Sequence, residues 1–393
     1  MQKSVTFLIL LNSFISLSQS DTEIYLFDIS TKEGVSELTN QKNISNNKGY
    51  DSQPSFYKDS IILFSSTRNK QTDIARYSIK DTQVTWISQT PGGSEYSPLK
   101  IPDQKSISAI RLDTSGKQLV YKYEYKTGKS SVLIKDLVVG YQTWFNKDIL
   151  VSSVLENEGL SLVVSNIKEH TNKTFQNTIG RSLHKIPNSH LISYISKENE
   201  QWEIKSLNPV TGEIQKIINT IPESEDMCWL IDGTILMGKG NNIFKFNPKT
   251  DKKWSLFYSF LDKEIANISR MATNQTGTLL ALVSDVSPEH IVQKQLDAYN
   301  ARNIDAFLDT YADTIKVFKY PNQLQYQGKE NMRNGYASFF EKTPDLNCKI
   351  KNRIVTGNKV IDEEFLTING KHYYAVAIYE VENGKIAKVT FLE

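Results

Sequence analysis

Cysteine is nearly absent: of 393 residues only Cys228 and Cys348 carry a thiol. Two thiols so far apart build no disulfide framework, and the chain has to hold together by burying apolar surface. An excess of one charge is also lacking, with 46 Lys and Arg against 44 Asp and Glu. A net charge of +2 gives no bulk field for a phosphate backbone or an anionic membrane, which argues against nucleic acid as a partner. Past the first twenty residues there is no long apolar run, so the mature chain is expected to be soluble and without a membrane span. Motifs of chemistry are missing too. There is no Gly-x-Ser-x-Gly elbow for a serine hydrolase. Gly128-Lys129-Ser130 ends like a phosphate loop, but Tyr123 stands where the first glycine belongs. His184 and His190 have no Cys or carboxylate nearby at ligand spacing and read as surface or core histidines, so no metal and no cofactor is expected.

What the chain does have begins at its amino end. Residues 1–20 carry one lysine, Lys3, then an uncharged apolar run from Val5 to Leu17, then Ser18 and Ser20 flanking Gln19. This is the layout of a secretory signal peptide, with an uncleaved anchor as the alternative, and it places the protein in the periplasm or outside the cell.

From residue 21 short apolar stretches alternate with turns rich in Asn, Asp, Gly and Lys, the pattern of an all-β architecture. The stretches have a period. Taking Phe56 as an anchor, equivalent positions fall at Lys100, Trp144, Ile186, Trp229 and Met271, separated by 44, 44, 42, 43 and 42 residues. A second series of hairpins begins near Ile74, Leu119, Leu162, Ile204 and Ile243, and its sixth copy, from Ile24, stands ahead of the first anchor. Five complete units and two complementary halves predict a six-bladed propeller over 21–286, closed by a blade that takes strands from both ends of the repeat. A β-solenoid or stacked sandwiches are the alternatives, although solenoid repeats are usually shorter.

The first blade carries a family resemblance. Asp51-Ser52-Gln53-Pro54-Ser55-Phe56, Phe64-Ser65-Ser66-Thr67-Arg68 and Asp73-Ile74-Ala75-Arg76-Tyr77 resemble the TolB-like or WD-like propeller repeat. The resemblance implies a platform for a protein partner; the fold by itself assigns no function.

At Ser287-Pro288-Glu289 the period changes to helical, with Ile291, Leu296, Tyr299, Ile304, Phe307, Leu308 and Tyr311 at helix spacing. Asn303 is expected to cap a second helix, and a third is expected at 329–341. Strands are predicted at 348–356, 359–367, 371–381 and 385–392, with Asn369-Gly370 and Asn383-Gly384 as hairpin turns. Segment 287–393 therefore reads as an α+β cone, a cystatin-like curved sheet wrapped on helices.

Gln295-Leu296-Asp297-Ala298-Tyr299-Asn300, Asp305-Ala306-Phe307, Tyr311-Ala312-Asp313, Gly328, Arg353, Val360-Ile361-Asp362 with Glu364, and Ile378-Tyr379-Glu380-Val381 before Gly384-Lys385-Ile386 resemble the SnoaL-like branch of the nuclear transport factor-two superfamily. That resemblance implies one apolar pocket and either a binding domain, a dimerising domain or an isomerase, cyclase or dehydratase. A steroid isomerase needs a carboxylate base and an oxyanion hole. Alignment places Lys319 at the base, Gln295 at the oxyanion tyrosine and Tyr374 or Ala377 at the partner position, which disfavours that chemistry. The segment carries 14 Lys and Arg against 14 Asp and Glu, so a neutral or mixed ligand is expected.

Asp362 and Glu364, two apart on a predicted strand, point to one face and are the candidate catalytic pair. Arg353 on the preceding strand can reach them, which gives a structural ion cluster as the competing reading. Tyr299, Tyr311, Phe318, Tyr320, Tyr336, Phe339 and Tyr374, with Arg353, are the expected pocket lining. The first expectation for function is an exported binding or scaffold protein holding a small apolar ligand in the cone, or pairing two copies through it. The second is an enzyme acting in the same cone.

Overall fold

The computed structural model describes residues 21–32, 35–47, 49–156, 159–261, 264–382 and 384–392. The signal-peptide reading of residues 1–20 and the turn residue Asn383 lie outside them. The described residues form six four-stranded antiparallel sheets followed by one six-stranded sheet with three helices. The six sheets are propeller blades, and each anchor lies in or directly after the first strand of its blade. Blades one to five run in chain order over 51–86, 93–134, 139–176, 179–219 and 227–259.

Blade six mixes the two ends. Its inner pair is Ala266–Thr273 and Leu279–Asp285, and its outer pair is Thr22–Lys32 and Val35–Asn43. Thr22 faces Asp285, and the ladder runs to Asp28 opposite Leu279. Every backbone donor and acceptor committed there would be an open sheet edge in an unclosed ring, a template for pairing with other chains.

Burial grades across each blade as the layering requires. The second strands are almost wholly buried, as at Ile61–Arg68 and Ile192–Ser196, while outer strands such as Gln83–Trp86 and Thr171–Gln176 face solvent. Neighbouring blades share apolar clusters, such as Ile110, Val120, Trp144 and Leu150 between blades two and three. They are also stitched by polar bonds. The Trp144 and Trp229 indoles donate to the hydroxyls of Ser108 and Ser193 on the preceding blades, at 2.9 and 2.8 Å.

The chain leaves blade six at Asp285, and Pro288 starts helix α1 (Pro288–Asn300). Proline is tolerated at this first position because its missing N–H would be unpaired there anyway. Helix α2 (Ile304–Asp309) follows, with the Asn303 side chain accepting from the Ala306 N–H at 3.1 Å, the cap read from the sequence. Helix α3 spans Lys329–Lys342. The curved sheet runs in the order Gln323–Gln327, Tyr311–Lys319, Lys385–Leu392, Lys371–Glu382, Lys359–Ile368, Asn347–Thr356, antiparallel except for the parallel pair Tyr311–Lys319 with Lys385–Leu392. Tyr311 is thus not the end of a helical stripe: it opens a strand, and that strand and the next were not foreseen. Asn369 and Gly370 turn with φ of 49° and 74°, the pair of positive values that a two-residue hairpin needs.

Candidate functional site

Helix spacing and strand alternation aim one set of side chains into the cone. Gln295 and Tyr299, four apart on α1, share a face, as do Met332, Tyr336 and Phe339 on α3. On the strand Lys359–Ile368 the even positions 360, 362, 364, 366 and 368 face inward, and on Lys371–Glu382 so do Ala377 and Tyr379. All of these except Val360, Asp362 and Ala377 join Tyr311, Tyr326, Cys348 and Phe391 in enclosing a cavity of about 650 Å³. Behind the lining residue Tyr336 packs an aromatic cluster, with Phe307 4.7 Å from Tyr336 and 5.4 Å from Phe340 between ring centroids. Tyr373 and Tyr374 sit at the exposed rim.

One carboxyl is set into this apolar lining. Glu364 is buried and accepts a 2.8 Å hydrogen bond from the Tyr379 hydroxyl. Burial pushes its pKa up from 4.5 to about 7, and the nearby Asp362 charge adds to this, while the Tyr379 bond and Arg353 oppose it. The cross-strand partners of Asp362 and Glu364 are Ala377 and Ala375. These methyl side chains leave the space through which Tyr379 reaches Glu364. Burial and the Glu364 charge hold the Tyr379 phenol well above its ordinary range, so it is a donor at neutral pH. A carboxyl half-protonated near pH 7 can accept or give a proton, and that is the chemical capacity of the cavity.

Asp362 is differently placed. It is 1% exposed and held by Arg353, whose Nε and Nη2 donate to the two carboxylate oxygens at 2.7 and 2.6 Å. Arg353 also donates to Gln293 at 2.8 Å and lies 3.8 Å from Glu289, both on α1. Asp362 and Arg353 therefore do not line the cavity, and of the two candidate carboxylates only Glu364 does. A bidentate guanidinium occupies the lone pairs a base would use.

Tyr299, Tyr311, Tyr336, Phe339 and Tyr374 do line it. Phe318 and Tyr320 do not. Strand alternation puts Ile315 and Val317 inside, so Phe318 falls on the other face, where the Lys388 ammonium lies 5.3 Å from its ring. Tyr320 is past the strand end and 61% exposed. Lys319 is exposed as well, away from the position of a catalytic base. The residue-by-residue reading missed Tyr379 and Tyr326 as lining residues. The alternation Tyr373-x-Ala375-x-Ala377-x-Tyr379 was the available signal for the first; Tyr326 lies on an unforeseen strand. Among the described residues no group of three or more His, Cys, Asp or Glu is placed to hold a metal ion.

Comparison with known proteins agrees with both halves of this description. No curated protein matches the chain. A putative TolB from Agrobacterium tumefaciens superposes with a TM-score of 0.54 over 68% of this chain and 99% of its own, at 11% identity. A chain of a nidogen/laminin complex reaches 0.51 over 64% and 97%, also at 11% identity. Likeness at that identity is likeness of fold. An uncharacterized cystatin-fold protein from Novosphingobium aromaticivorans is 25% identical over 28% of this chain and 99% of its own, with a TM-score of 0.27. The chain thus joins a TolB-like propeller to a segment, residues 292–389, that matches the family model of the SnoaL-like domain.

Proposed function

We propose that this chain is an exported binding protein whose propeller is a rigid platform and whose cone takes a small, largely apolar molecule with one polar group. The observation that carries the reading is the aromatic cavity of about 650 Å³ with the Glu364 and Tyr379 pair set into it. Small-molecule sites typically enclose roughly 300–1,000 Å³ and are apolar, with a few convergent polar groups that fix orientation. The bound molecule places its polar group, a carbonyl or hydroxyl, against Glu364 and its apolar body among Tyr299, Tyr336 and Phe339. Export rests on the signal-like residues 1–20. The faces of the propeller are left to a protein partner, and the cone to pairing with a second copy.

A second reading has its own support. A carboxyl raised to about 7 by burial is matched to proton transfer at neutral pH, as an isomerase, cyclase or dehydratase requires. In that reading Glu364 is the base and Asp362, held by Arg353, is not.

Thermal-shift and native mass spectrometry screens of the full chain against apolar ketones and alcohols test both readings, repeated with Glu364→Gln. Binding that survives the substitution, with no turnover by the unmodified protein, supports the binding module. Turnover that falls by roughly 10²–10⁴ in Glu364→Gln while binding persists supports the enzyme. A panel that shifts nothing, with Tyr336→Ala no less stable than the parent, would sink the cavity as a site.

A further inference from the structure

The geometry points to a second binding site, in the central channel of the propeller, for a small organic carboxylate that also donates a hydrogen bond. First strands from all six blades line a cavity there of about 620 Å³. The chemistry of its wall is uneven. Arg181 of blade four and Arg270 of blade six converge on one carboxylate, Asp226 of blade five. Arg181 donates through Nε and Nη2 at 3.2 and 2.5 Å, and Arg270 through Nη1.

Two guanidiniums on one carboxylate leave a positive charge. Glu225 does not cancel it, because Lys197 holds Glu225 at 3.1 Å while Arg181 is 3.6 Å away. The cluster therefore has three cations and two carboxylates. Arg270 bonds to Asp226 and to the Ser269 carbonyl through Nη1, and among the described residues no acceptor takes its Nε or Nη2. His184, on the same wall, adds no charge. Burial and the neighbouring Arg270 lower its pKa from 6.5 to about 4, so it is neutral at pH 7. Planar donor edges beside an unbalanced charge are what a carboxylate binds, in paired and shortened hydrogen bonds.

An unfilled acceptor stands on the adjoining strand. Gln142 is 6% exposed, and its Nε2 donates to the Ser97 carbonyl at 3.0 Å, while its Oε1 takes no hydrogen bond. A buried acceptor without a donor costs about 1–3 kcal/mol, a cost that an N–H of a bound molecule removes. Its neighbour Tyr141 has the Arg270 guanidinium 5.5 Å from its ring centroid, so the acceptor and the cation belong to adjacent parts of one wall.

The backbone is shaped around the same space. Ladders of the inner strands shift register between Ser52 and Ser55, Tyr96 and Leu99, Val139 and Tyr141, Ile179 and Leu183, and Ala266 and Arg270. Gln53 and Ser97 on this wall have φ of 57° and 50°, left-handed values that side chains other than glycine adopt at a cost. Such bulges re-aim side chains and cluster beside binding sites.

Titration calorimetry of the full chain with succinamate, which has a carboxylate and an amide N–H, is the test. Succinamide, which lacks the charge, and succinate, which lacks the N–H, are the comparison probes. The expected result is succinamate binding in the millimolar range, succinate weaker and succinamide weaker still. Arg270→Gln should weaken succinamate by about tenfold or more, Gln142→Met should remove its advantage over succinate, and Glu364→Gln in the cone should change nothing. If Arg270→Gln fails to fold, as read by circular dichroism, Gln142→Met decides. No heat from succinamate, equal binding of succinamide, or loss in Glu364→Gln with retention in Arg270→Gln each overturns the proposal.

Discussion

Asp362 and Glu364 share a strand and a face, yet the protein treats them as opposites. The first is clamped by Arg353 and the second is left against a phenol in an apolar cavity. Removing the clamp strands a buried charge, which typically costs about 3–5 kcal/mol. Arg353→Leu is therefore expected to lower the urea unfolding midpoint strongly, and Asp362→Asn in the same background to recover part of the loss.

For Glu364 the sign runs the other way. Its folded pKa, about 7, lies above the ordinary 4.5, so its contribution to stability is complete below pH 4.5 and is lost as the pH rises to 7. Linkage puts the loss at up to ~3 kcal/mol. Unfolding free energies of Glu364→Gln against the parent should converge at pH 4 and diverge by pH 8 in favour of the variant. A constant difference across that range would refute the raised carboxyl.

At the scale of the element, the recurring indole-to-serine bond between blades gives a measurable unit of ring cohesion. Trp229→Phe keeps most of the packing and leaves Ser193 without its donor, an expected loss of about 1 kcal/mol by chemical denaturation. Asn303→Ala should cost a similar amount, about 1 kcal/mol, through the lost cap of α2.

The same scale shows what was legible in the sequence. Inner strands repeat because each occupies the same layer of the ring, so their apolar anchors recur at one spacing, and the split blade could be read from the order of the half-units. Four late strands of the cone were readable because Asn-Gly turns and alternation punctuate them. The strand Tyr311–Lys319 was not, because Phe307, Leu308 and Tyr311 also fit a helical stripe. That error carried into the site: without the strand's register, Phe318 could not be assigned to the outer face. Glu364 was legible as a residue but not as the survivor of the pair. Only the contacts of Arg353 separate it from Asp362.

For the molecule as a whole, closure of the ring is the stability question. Deleting 22–43 removes the outer half of blade six and bares the edge of Leu279–Asp285. Size-exclusion chromatography with light scattering should then show oligomers or aggregate in place of the parent species. The seam also titrates. Asp51 opens blade one beside it and is fully buried, and burial pushes its pKa from 3.8 up to about 7, helped by the nearby Glu23. The contribution of Asp51 is present below pH 3.8 and lost as the pH rises through 7, the same direction as Glu364. The parent chain should therefore melt at a higher temperature near pH 5 than near pH 8, and Asp51→Asn should narrow the gap.

The first residue of the seam faces its last: Thr22 is paired with Asp285, and the Val286 N–H donates to the Asp21 carbonyl at 3.0 Å. Both chain ends thus leave the ladder from one side. Tension between the amino end and the cone pulls that pair apart one hydrogen bond at a time, in peeling and not in shear. The seam is accordingly weak along the line joining the start of the ring to the cone it carries.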